Sequence, residues 1–256
     1  MNEFQNTQQP VKYKVLLIGD SCTDEYHYGV VKRISPEAPV PIFNFLYSEE
    51  KPGMAYNVKA NLEAHGIAVD LLTDFPSTKI RLIDVKTKNH ILRIDKDKHS
   101  KEPIQFVTKI PNMYDAVVVS DYNKGYITQK LLEELHTLFD GPIYVDTKKR
   151  DLGNIRGCIF KINEKERNDC TSVAEETVVT LGPGGAVYKD KTFKSEPVEV
   201  SDVCGAGDTF LAALVFWHLN TGRLDLAIPL ANKAAAVTVQ HFGTYAPKIE
   251  EYYVTT

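Results

Sequence analysis

Apolar residues along this chain fall into short unbroken runs separated by longer amphipathic stretches. Lys14–Gly19, Val69–Thr73, Ala116–Ser120, Ile143–Asp146, Cys158–Ile162 and Val178–Gly182 are rich in β-branched residues or leucine. Several of these runs do not alternate with polar residues, which predicts strands covered on both faces. The spacing predicts helices over Ala55–His65, Thr128–Leu138 and Thr209–Leu219. A last helix reaches about His241, with Pro229 near its start because proline breaks a helix interior. Strand and helix alternate in order, so the fold class is α/β, an open and mostly parallel sheet with helices on both sides. Two segments break this pattern. Residues 25–47 are rich in tyrosine, proline and β-branched residues, and residues 80–96 alternate polar with apolar, so both predict antiparallel ribbon beside the sheet.

In open α/β sheets, ligands bind beyond the carboxyl ends of the strands. Polar residues follow the strands in that way here: Asp20 and Asp24, then Asp121, then Asp146 and Lys148, then Asn163. Near the end of the chain, Gly205-Ala206-Gly207 opens an apolar helical run with Asp208 in its first turn. A helix start carries unpaired N–H groups and partial positive charge, so it attracts anions, and two glycines leave room for a phosphate. A carboxylate in an anion site has a use if it takes the proton of a hydroxyl attacking that phosphate. The segment therefore points to phosphoryl transfer to an alcohol. The alternative is a glycine turn with Asp208 as a helix cap.

A chain of 256 residues fits one large domain, here expected over 11–256 after a polar, disordered tail at 1–10. A net charge of −4 gives no electrostatic case for nucleic acid or an anionic membrane as partner. No run approaches the ~20 apolar residues that span a bilayer. Cys22, Cys158, Cys170 and Cys204 are scattered without zinc or disulfide spacing, which fits a reducing cytoplasm.

Six segments in register carry a resemblance. They are Arg33-Ile-Ser-Pro-Glu-Ala-Pro-Val-Pro41, Ser120-Asp-Tyr-Asn-Lys-Gly125, Val145-Asp-Thr-Lys-Lys-Arg-Asp151, Asn163-Glu-Lys-Glu166, Thr180-Leu-Gly-Pro-Gly-Gly185 and Asp202-Val-Cys-Gly-Ala-Gly-Asp208. Together they resemble the ribokinase-type (PfkB) carbohydrate kinases, most closely the branch that phosphorylates heptose 7-phosphate. The resemblance implies a three-layer α/β/α sandwich with a small β-ribbon lid over 25–47 and 80–96. It implies ATP and Mg²⁺ as cofactors, a sugar or sugar phosphate as acceptor, and a homodimer paired through the lid ribbons. A kinase for another small alcohol, or a catalytically weak binding or scaffold protein, stays open.

By the same resemblance Asp208 is the base, and Gly205, Ala206 and Gly207 supply N–H groups to the transferring phosphoryl. Asn163 and Glu166 act on Mg²⁺, with a plain helix cap as the alternative for this pair. Lys148, Asn163, Thr180, Gly182, Gly185 and Asn232 meet the nucleotide; a hairpin turn is the alternative for the glycines. Asp24, Gly53, Asn57, Asp121, Lys124 and Arg93 meet the acceptor, with Lys79 and Arg81 as further phosphate clamps. A helix cap is the alternative for Asn57, and exposed basic residues are common on ribbon. Cys204 and His27 read as packing residues. The chain departs from the family at Met54, where a second glycine is usual. It is also several dozen residues short, with a helical segment missing after Asp74, and has no room for the adenylyltransferase domain of some bacterial relatives.

Overall fold

The computed structural model describes residues 12–74, 77–106 and 108–253. In chain order it has β1 (Tyr13–Gly19), β2 (Ser21–Ile34), β3 (Pro41–Met54), α1 (Ala55–Ala64), β4 (Ile67–Thr73), β5 (Ser77–Asp84), β6 (His90–Lys96), β7 (Ala116–Asp121), α2 (Gln129–Leu138), β8 (Ile143–Thr147), β9 (Cys158–Asn163), α3 (Glu164–Asp169), β10 (Thr177–Thr180), β11 (Ala186–Tyr188), β12 (Lys191–Phe193), α4 (Ala206–Thr221) and α5 (Leu224–Thr238). The tail expected at 1–10 lies outside the described residues.

The main sheet runs β12-β11-β10-β9-β8-β7-β1-β4. From β4 to β10 every pairing is parallel, and a β11/β12 hairpin closes one edge antiparallel. Its unbroken apolar runs have a direct cause. Leu16, Ile18, Val117, Val119, Ile143 and Val145 pack with α2 residues Leu131, Leu132 and Leu135 on one face. Val15, Leu17, Ala116, Val118 and Tyr144 pack with Val58 and Leu62 of α1 and Leu211 of α4 on the other. Successive residues therefore bury on opposite sides, giving the expected three layers.

The two ribbons differ from expectation by joining. β2 pairs antiparallel with β3 and parallel with β5, and β5 pairs antiparallel with β6, making one four-stranded sheet. It also reaches further inward: β2 starts two residues after β1, and β3 runs directly into α1. Polar residues placed on β2 and on the first turns of α1 thus meet at one cleft. Between the end of β4 and the start of β5 there is no room for a helix; within that connection Phe75 and Pro76 lie outside the described residues.

Three boundaries differ. α4 begins at Ala206, three residues before the expected start, with Gly205 at the cap in left-handed conformation (φ 80°). Strand β10 ends at Thr180, and Gly182–Gly184 form a 3-10 turn. Pro229 lies inside α5 rather than near its start, because the helix already begins at Leu224.

Candidate active site

The centre of the cleft is the start of α4. Asp208 is the third helical residue, and Gly205 caps the helix with no side-chain bond. The Asp208 carboxylate instead accepts a 2.6 Å hydrogen bond from Asn57 Nδ2 on α1. The capping role is therefore not the one Asp208 plays. Burial pushes its pKa up to about 6 against the pull of Asn57, with Asp146 raising it and Lys161 and Lys148 lowering it. A carboxyl tuned in this way suits a general base working near neutral pH.

Close approach explains the two glycines. A Cβ on Gly205 would lie 2.9 Å from Asn57 Nδ2, and one on Gly207 would lie 2.9 Å from Lys161 Nζ. Lys161, which the sequence reading did not single out, thus brings a buried ammonium to the Gly-Ala-Gly turn. It is held by Asp146 at 2.7 Å, and this carboxylate outweighs burial to keep the lysine charged. The signal was a lysine inside an otherwise apolar strand, Cys158–Asn163.

Beside this turn a pocket of about 500 Å³ takes in Asn163, Thr180, Gly182, Gly185 and Asn232 together with Lys161, Ala206 and Gly207. The hairpin and pocket readings of Thr180–Gly185 both hold, since Thr180 pairs with Ala186 across the turn. Asn232 donates through Nδ2 to the Phe193 carbonyl at 2.8 Å, which fixes its amide on the pocket wall. Val198, Val200, Ala235 and Val239 give that wall an apolar face, which no local motif marks.

Asn163 and Glu166 form a complete capping box: Asn163 Oδ1 accepts from the Glu166 N–H and Glu166 Oε2 from the Asn163 N–H, each at 2.8 Å. Lys148 pairs with the other Glu166 oxygen. Burial raises the Glu166 pKa, but Lys148 and the Asn163 N–H outweigh it and hold the carboxyl low. Among the described residues no three His, Cys, Asp or Glu side chains could hold a metal by themselves. The donors are all oxygen and the carboxylates few, which fits Mg²⁺, an ion that keeps most of its water and takes one or two carboxylates plus phosphate.

The four-stranded sheet forms the opposite wall. Asp24 is buried and receives Arg81 at 2.5 Å. A Cβ on Gly53 would fall 2.2 Å from Asp24 Oδ2, so only glycine leaves room for that carboxylate. Arg81 and Lys51 lie over the Tyr26 ring, and Lys79 and Lys148 over the Tyr122 ring. Tyr122, another residue not foreseen, sits between the walls; Asp208 and then burial push its phenol far up.

Three residues expected at the acceptor have partners within the protein. The Asp121 carboxylate is fully buried and holds Thr147 Oγ1 at 2.6 Å, the Asn123 N–H at 2.8 Å and Lys149 at 3.2 Å. Lys124 pairs with Asp97 at 2.6 Å, tying the cleft loop to the segment after β6. Arg93 lies opposite Arg81 on the outer strand, exposed and paired with Asp95 at 2.9 Å. Asp20 likewise serves the loop, accepting from the Tyr122 N–H at 2.7 Å.

Residues 155–251 match the model of the pfkB family carbohydrate kinases. The bifunctional protein HldE of Campylobacter jejuni subsp. doylei is 31% identical over 98% of this chain, and the chain spans 66% of that relative's length. That alignment runs over 306 positions, so at least fifty positions of the alignment have no counterpart in these 256 residues. Among solved structures, ribokinase from Thermotoga maritima aligns with a TM-score of 0.65 at 18% identity, covering 93% of this chain and 97% of that one. Arabidopsis thaliana ribokinase, complexed with ribose and ATP, aligns with a TM-score of 0.67 at 13% identity, covering the same shares. The fold is ribokinase-like, and within it residues 155–251 carry the pfkB family carbohydrate kinase match.

Proposed function

We propose that this carbohydrate kinase transfers the γ-phosphate of ATP to a hydroxyl of a phosphorylated sugar, heptose 7-phosphate. The observation that carries the reading is the Asp208–Asn57 pair at the start of α4, set between the nucleotide-sized pocket and a wall bearing Lys51, Lys79 and Arg81. A sugar that already bears a phosphate needs cations on its own side of the cleft. The heptose branch is favoured by the Arg33–Pro41 segment and by the likeness to HldE.

In this reading Asp24 and Asn57 orient the sugar, and Asp208 takes the proton of the attacking hydroxyl. The new bond forms between that oxygen and the γ-phosphorus, while the bond from phosphorus to the β–γ bridging oxygen breaks and ADP leaves. Backbone N–H groups of Gly205–Gly207 and the Lys161 ammonium hold the charge on the transferring group. Asn163, Glu166 and Lys148 face the nucleotide phosphates. Mg²⁺, held by Glu166 and Asn163 largely through water, would neutralise charge between those phosphates. The work belongs in the cytoplasm, where ATP is made. Among the described residues no helix is long and apolar enough to cross a membrane. A homodimer would form through the outer face of the four-stranded sheet.

The test is ADP release with ATP, Mg²⁺ and a panel of D-glycero-D-manno-heptose 7-phosphate, free heptose, ribose and fructose 6-phosphate. Turnover should be greatest with the heptose phosphate and be lost in Asp208→Asn. Preference for an unphosphorylated sugar would refute the assigned substrate. Asp208-independent turnover would refute the assigned base.

A further inference from the structure

We propose that Asn61 and Thr209 are positioning residues that fix the amide of Asn57, so that it always presents its N–H to Asp208; this rests on Asp208 being the base. Asn61, Thr209 and Thr238 are fully buried on three helices, α1, α4 and α5. Asn61 Nδ2 donates to the Asn57 carbonyl at 2.9 Å and lies 3.4 Å from Asn57 Oδ1. Thr209 Oγ1 lies 2.7 Å from Asn61 Oδ1, and Thr238 Oγ1 lies 2.9 Å from Thr209 Oγ1.

The orientation of both amides in this chain follows from two groups that can only accept. The Asn57 carbonyl requires the NH₂ side of Asn61, which leaves Asn61 Oδ1 for Thr209. Thr209 then donates its one proton to Asn61 at 2.7 Å in preference to the Tyr245 carbonyl at 3.4 Å, and Thr238, whose hydroxyl lies 2.9 Å from Thr209 and 3.3 Å from that carbonyl, donates in turn. At the other end the Asp208 carboxylate requires Asn57 Nδ2, at 2.6 Å. Asn57 Oδ1 consequently points at the Asn61 N–H. A flipped Asn57 would place one oxygen against the Asp208 carboxylate and its NH₂ against that of Asn61, losing both bonds. Other groups around Asp208, namely Asp146, Lys161, Lys148 and Tyr122, do not touch Asn57 in any hydrogen bond described. None of them is altered by changing Thr209.

The test replaces Thr209 with valine, which keeps the shape and removes the proton, and with serine, which restores it. In wild-type protein the Asn57 side-chain amide, assigned by its loss in Asn57→Ala, should give two separate, slowly exchanging ¹⁵N-bound proton signals. In Thr209→Val these should broaden or average and exchange faster, and Thr209→Ser should recover the wild-type pattern. With ATP and D-glycero-D-manno-heptose 7-phosphate, Thr209→Val should lower kcat about tenfold while changing the KM for ATP by less than about twofold, since Asn57 meets the acceptor and not the nucleotide. Should Thr209→Val fail to fold, Asn61→Ala is measured in the same way. A folded variant whose Asn57 amide behaves as in wild type overturns the proposal. If the amide responds but turnover never depends on Asp208, the ordered chain stands and the assignment of the base falls.

Discussion

At the residue scale, Asp208 combines two opposed demands. Its pKa of about 6, above the ordinary 3.8, arises mainly from burial. Activity should therefore fall below about pH 6, close to tenfold per unit well below it, and a pH profile of kcat checks this. Stability runs the other way. The fold favours the protonated carboxyl, so its contribution is fully present below the unfolded value near 4 and is lost as pH rises through 6. At neutral pH the buried charge costs about 3 kcal/mol. Asp208→Asn should thus remove turnover by about 10²–10⁴-fold and yet raise stability to urea at pH 7.5. Lost stability would contradict the account. The acid was legible in the sequence because it stands beside Gly-Ala-Gly; its partner Asn57, 151 residues away, was legible only as a cap or a sugar ligand.

At the element scale, α1 starts on strain. Met54 occupies φ 55°, ψ −120°, a backbone region that suits glycine, while its side chain is buried. Alanine normally outranks glycine in stability, but here the order should reverse: Met54→Gly should unfold at higher urea than Met54→Ala. α3 offers a second check. Glutamine can keep the capping box at Glu166 while losing the charge, so Glu166→Gln should shift stability by less than about 1 kcal/mol. The same change should raise the Mg²⁺ concentration for half-maximal rate about tenfold, as carboxylate loss does at such sites. A side-chain signal made α2 readable, since Thr128 caps it; Asn163 caps α3, a helix the sequence offered only as the alternative role of the Asn163–Glu166 pair. The starts of α4 and α5 were not readable, because Gly205 and Arg223 make no side-chain cap bond there.

At the scale of the whole molecule, the two faces of the four-stranded sheet differ. One face presents cations to the cleft; on the sheet as a whole Phe45, Leu92 and Ile94 stay 41–56% exposed. Exposed apolar strands invite pairing. Sedimentation should show a dimer, and Leu92→Glu combined with Ile94→Lys should shift it to monomer; a monomeric wild type would exclude this interface. What the sequence by itself determined was the α/β alternation, the strand-end polar residues and the Gly-Ala-Gly-Asp turn, since periodicity and turn chemistry are written within a few neighbouring residues. What only the tertiary structure decided was the parallel β2/β5 pairing that fuses two ribbons, Lys161 set against Gly207, the capture of Asp121, Lys124 and Arg93 by other partners, and the ordered chain behind Asn57. These pairings join segments far apart in sequence. Each buried polar group takes the partner that satisfies it best, and that choice is made only once the layers have packed.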